Sequence, residues 1–169
     1  MKGRLLFCLM CLCLLLPALA WSAGTMTVSI DNPKYISEGH QGPCKIIIDW
    51  TSTSGGAVSG DIASTFTASK KDYEPALTAI KGRLNWTQLI PGAEGDLTTT
   101  LPTDAYDVTI KDAYGHDILD SNGTNMSGTA SNLLVESTGN RRIDSELTLA
   151  ITNAGSATTG RIIIMLGDR

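Results

Sequence analysis

The chain has 169 residues with 13 Lys and Arg against 17 Asp and Glu, a formal net charge of −4, and only 5% aromatic residues. That acidic balance excludes nucleic acid as the expected partner, because affinity for it rests on cations that neutralise phosphates. Plentiful Gly, Ser and Thr do not make the chain disordered, since its apolar residues fall in short runs of Ile, Val and Leu, as in a folded all-β protein.

Residues 1–20 read as a signal peptide-like segment. Lys2 and Arg4 lead into an apolar block from Leu5 to Leu16, and Ala18-Leu19-Ala20 offers the small-x-small pattern that a signal peptidase accepts. The block is shorter than the roughly 20 apolar residues that span a bilayer, so no stable membrane anchor is expected after cleavage. The expected product is exported, periplasmic or extracellular, and begins at Trp21. It would be a single β-sandwich domain over residues 21–169, long enough to bury a sizeable core. Losing Lys2 and Arg4 takes the net charge from −4 to −6. Cys8, Cys11 and Cys13 lie inside the apolar segment, and none follows a small residue as a lipid-anchor site requires. Cleavage would leave Cys44 as the single thiol, expected as a small buried hydrophobe.

Beyond the leader, period-two patterns dominate. Met26, Val28 and Ile30 alternate with polar residues, and Asn32-Pro33 ends that strand. Cys44 to Thr51 places Ile46, Ile48 and Trp50 on one face and Ile47 on the other, which predicts a central strand covered in part on both sides. Ser52 to Gly56 is a turn, followed by a polar stretch to Asp72 read as loop or weak edge strand. One short helical candidate, Asp72 to Ile80, is interrupted by Pro75. From Thr78 the alternation sets Ile80, Gly82, Leu84 and Trp86 against Lys81, Arg83, Asn85 and Thr87, ending at Pro91-Gly92. Tyr106, Val108 and Ile110 form the next strand, and Asp112 to Gly115 is expected to turn it back into His116 to Leu119. Residues 120–132 read as a polar loop and Leu133 to Glu136 as a short strand. Finally, Leu147, Leu149 and Ile151 are expected to pair in a hairpin with the nearly all-apolar Ile162 to Leu166. About seven to eight strands without a convincing helix predict a two-sheet antiparallel β-sandwich or jelly roll.

Several of these fragments occur together in one order. Ile48-Asp49-Trp50-Thr51-Ser52 with Gly56-Ala57-Val58-Ser59-Gly60 is followed by Ile80-Lys81-Gly82 and Pro91-Gly92. Then come Pro102 to Thr109, Gly115-His116-Asp117-Ile118-Leu119 and Leu147 to Gly155 with Thr159-Gly160. This series resembles small β-sandwich structural proteins, taken as virion-associated, of tailed bacteriophages and prophages. The likeness covers most of residues 44–166. It implies a place in the virion and a role in contact with other structural proteins or copies of itself.

No enzyme is expected. His40 sits in a polar stretch without ligand-spaced partners, His116 lies beside a turn next to Asp117, and Ser59 falls one position late for a Gly-x-Ser-x-Gly elbow. No catalytic, cofactor-binding or metal residue is therefore assigned, and no cofactor. Asp117, Asp120, Asn122 and Asn125 gather oxygens near Gly123, but their spacing departs from a calcium loop. Asn85, Asn122 and Asn125 begin glycosylation triplets that matter only in a eukaryotic secretory route. The alternative to the virion role is an exported surface or adhesin-like module binding a glycan or a host protein. Trp50 and Trp86 share parity with core aliphatics and are expected inside, whereas Tyr35, Tyr73 and Tyr114 lie in or near turns, freer to meet a ligand.

Overall fold

The computed structural model describes residues 24–31, 43–62, 80–92, 100–135 and 141–167. The leader, His40, Tyr35, Tyr73 and all but the last residue of the helical candidate 72–80 lie outside them. Among the described residues the protein is all-β, with nine strands in two antiparallel sheets, the arrangement of a β-sandwich. In chain order these are β1 (Thr25–Asp31), β2 (Cys44–Thr51), β3 (Val58–Asp61), β4 (Ile80–Pro91), β5 (Asp107–Asp112), β6 (Asn132–Val135), β7 (Arg142–Ser145), β8 (Leu147–Thr152) and β9 (Thr159–Gly167).

The larger sheet has six strands in the order β1-β2-β9-β4-β6, with β7 also paired to β4. β6 and β7 share one edge of the long strand β4 in tandem, β7 against residues 80–83 and β6 against 86–89. The smaller sheet is β3-β8-β5. Between the sheets, Ile46, Ile48, Ile162, Ile164 and Leu166 from the large sheet and Val58, Val108, Ile110, Leu149 and Ile151 from the small one form the core, all 1% exposed or less. Burial of this apolar area is the main favourable term in holding the two layers together.

Trp50 is buried as its parity predicts, with its ring centroid 6.1 Å from that of Tyr106. Gly160, its partner on β9, has to be glycine, because a Cβ there would sit on the indole ring. Cys44 is likewise buried, and its thiol donates to the Asp31 carbonyl at 3.1 Å.

Three sequence expectations are corrected. First, the terminal strands do not form a hairpin: β8 pairs with β3 and β5, whereas β9 lies between β2 and β4. The connection 153–158 crosses from one sheet to the other. It is fastened by Ser52, whose Oγ donates to the Gly155 carbonyl at 2.7 Å and accepts the Thr158 N–H at 2.9 Å. The alternating pattern of β8 and the continuous one of β9 fit a hairpin or a crossover equally, since periodicity states burial and not partner.

Second, His116 to Leu119 is not a strand returning along β5. The chain makes an isolated bridge, Lys111 to Asp117, and then winds through turns to a second, Tyr106 to Met126. Segment 113–126 nonetheless occupies the outer edge of β5: Val108 N–H donates to Gly123 at 2.7 Å, Ile118 N–H to Ile110 at 2.7 Å and Met126 N–H to Tyr106 at 2.8 Å. A covered edge cannot recruit another strand.

Third, Trp86 does not share the face of Ile80 and Leu84. The register of β4 against β9 shifts between Leu84 and Trp86, so Asn85 is an extra residue and the alternation inverts beyond it. Such a β-bulge sets two residues against one and re-aims everything that follows. Thr87 and Leu89 become core residues at 1% exposure, and Trp86 moves to the outer face. The Thr87 hydroxyl finds no hydrogen-bond partner there. Two short elements complete the sandwich: β3, within the stretch read as loop or edge strand, and β7, which the sequence reading did not anticipate.

Candidate functional site

Two surfaces collect side chains that the fold itself does not consume. One is the outer face of the large sheet. Because directly paired residues point the same way, the register places Ile47, Ile163, Gln88 and Leu133 in one row across four strands, with Lys45, Met165 and Trp86 in the next. Ile47, Ile163, Met165, Trp86 and Ile90 are half-buried and Leu133 is 59% exposed. Polar pairs border this stripe. Arg161 makes a two-pronged contact with Asp49, 2.6 and 3.1 Å, and Lys45 lies 3.4 Å from Asp31. An apolar centre with a charged margin is the composition of a contact surface.

From sequence, Ile47 is placed on a second face and Ile162 to Leu166 is nearly all apolar, but Trp86 and Leu133 are not assigned to this surface. The sequence carries no clear signal for this: Ile80, Leu84, Trp86 and Ile90 are all even-numbered, and only the burial of Leu89 reveals the change of parity.

The second surface is a cleft of about 560 Å³ where the turn after β5 meets β7. Asp112 organises that turn. Its Oδ1 accepts the N–H groups of Tyr114 and His116, both at 2.9 Å, and its Oδ2 lies 3.3 Å from His116 Nδ1. Desolvation pushes the Asp112 carboxyl up, but the two backbone N–H groups, with help from the His116 ring, outweigh it and hold the group below the usual carboxylate range. Gly115, at φ 85°, lets the chain reverse within the turn. Tyr114 is thereby held out from the tip at 80% exposure.

The other residues singled out from the sequence are placed as follows. His116 is paired with Asp112 rather than with its neighbour Asp117. The Asp117 carboxylate accepts N–H bonds from Ile110, Leu119 and Ser121, fixing the loop to β5. Asp120 meets Arg141 at 2.6 Å, and the Asn122 amide donates to the Leu119 carbonyl at 2.9 Å. These side chains are occupied in shaping the loop, where Asp120, Ser121 and Asn125 all take positive φ. Ser59 stands on the edge strand β3, apart from both histidines in the sequence and from the cleft lining. Burial, and secondarily the charge of Asp31, pushes the Cys44 thiol up to about 12, so it is a packing residue rather than a nucleophile at neutral pH. Among the described residues no group of three or more His, Cys, Asp or Glu side chains converges as a metal site would require.

No family model, curated protein or solved structure matches this chain.

Proposed function

We propose that this protein is a non-enzymatic structural component, of a phage or prophage virion, that works by binding other structural proteins or copies of itself through the outer face of its large sheet. The observation that supports this reading is the row formed by Ile47, Ile163 and Leu133 beside Met165 and Trp86. A sandwich needs only the inner face of each sheet to be apolar, so a second apolar stripe on β9 answers a different requirement. Repetition in a symmetric particle would make even weak contacts through such a stripe accumulate. The resemblance of residues 44–166 to virion-associated β-sandwich proteins points the same way. On this reading the signal-like segment would carry the protein out of the cytoplasm before it meets its partners.

The test is assembly. Sedimentation of the purified mature protein is expected to show self-association, or the protein is expected in isolated particles, and Ile163→Asp is expected to abolish either behaviour while leaving the far-ultraviolet circular dichroism unchanged. A wild-type protein that stays strictly monomeric at high concentration and is absent from particles would overturn the proposal.

A further inference from the structure

The cleft beside the β5 turn has no part in that role, yet it is more than a gap between elements. Its volume of about 560 Å³ lies within the range of small-molecule sites. Ile118 and Ile143 form an apolar base, and they are 2% and 3% exposed. Ser145 stands at one wall, receiving the Ala113 N–H at 3.4 Å, so that the turn of the small sheet is tied to β7 of the large one. The aromatic at the mouth is the most exposed large hydrophobic among the described residues. Its backbone is fixed by Asp112, which removes much of the ordering cost that a loose loop would bear on binding.

The charges select the ligand class. Each basic side chain at the cleft faces a carboxylate: Arg141 with Asp120 at 2.6 Å, Arg142 with Asp144 at 3.7 Å, and His116 with Asp112 at 3.3 Å. A phosphate would have to displace these carboxylates, and a metal ion would have to displace the cations. A neutral polyhydroxy ligand needs neither, because its hydroxyls both donate and accept. Its C–H faces also suit an aromatic ring, which joins an apolar surface to a polar tip. We propose that this cleft binds one or two rings of a neutral carbohydrate, with Tyr114 as the stacking platform and Arg142, Asp144 and Ser145 as hydrogen-bonding partners.

The inference is tested by titrating the isotope-labelled protein with maltohexaose, cellohexaose and hexa-N-acetylchitohexaose, each to millimolar concentration, and following backbone amide shifts. At least one of the three is expected to move the amides of Tyr114, Gly115 and His116 together with those of Arg142 to Ser145. Tyr114→Ala is expected to weaken that binding by about tenfold, the loss of an aromatic contact, and Tyr114→Phe to preserve it. Because the side chain is exposed, both variants should melt with the wild type, which a thermal scan verifies. No shift with any of the three sugars, or binding indifferent to Tyr114→Ala, would overturn the proposal. So would inorganic phosphate producing the same shifts, which would identify an anion site instead. Ile163→Asp should leave the titration unchanged, so failure here is distinguishable from failure of the assembly role.

Discussion

Ile162, Ile164 and Leu166 differ from Ile163 and Met165 by a single step along β9, and that step separates two kinds of apolar residue. The first set is 1% exposed or less and meets the small sheet across the core; the second is half-buried on the outer face. Nothing in side-chain chemistry distinguishes Ile163 from Ile164. Position in the pleat does, and the same logic divides β4, where residues before Asn85 and residues after it use opposite parities to reach the same core. Burial is therefore a property of register, and one inserted residue reassigns it for the rest of a strand.

Inserting one alanine after Thr87 attacks this division most directly. The remainder of β4 would turn over, carrying Gln88 inward and Leu89 outward. Burying an amide without a partner while exposing a core leucine should cost on the order of 5 kcal/mol, enough to remove the cooperative unfolding transition in a urea titration. An insertion variant that still unfolds cooperatively near the wild-type midpoint would mean that a second bulge absorbs the added residue.

Truncating the two faces separately gives a smaller, graded contrast. Ile164→Ala opens a cavity in the core and should cost about 2–5 kcal/mol. Ile163→Ala should cost about 1 kcal/mol, because its site is already partly open to water. Denaturant midpoints of the two variants measure the gap directly, and equal losses would show that the outer face is as fully covered as the inner one.

Thr87→Val probes the bulge with the least disturbance. The bulge turns a threonine into the core, where its hydroxyl has no partner, so a methyl of the same shape should leave stability unchanged or raise it by about 1 kcal/mol. A clear loss in the same titration would reveal a hydrogen bond to an ordered water.

The strands most legible in the sequence are those in which one period runs unbroken. Val28 and Ile30 in β1, Ile46, Ile48 and Trp50 in β2, and Val108 and Ile110 in β5 all face inward as alternation dictates. Two sheets in sandwich arrangement follow from that pattern. What the pattern lacks is pairing information. β8 and β9 are neighbours in sequence and both apolar, so a hairpin is the simplest inference, yet their partners are β5 and β3 in one case and β2 and β4 in the other. β7 escaped notice because four residues with one aliphatic, Ile143, carry almost no periodic signal. The cleft was legible only in part: Tyr114 could be placed at a turn, but its meeting with Arg142 and Ser145 depends on contact between sheets, which no local pattern encodes.

The position of β9 also sets when the molecule can become itself. The last of the described strands in chain order is the one that lies between β2 and β4, joining residues 44–51 to residues 159–166 and residues 83–91 to residues 160–167. Until β9 is in place, β1 and β2 form one fragment and β4, β6 and β7 another, each with an open hydrogen-bonding edge where β9 belongs. Closure over such long sequence separations is slow, because loop entropy is lost before the paired strands repay it. Folding of this sandwich is thus gated by the arrival of β9.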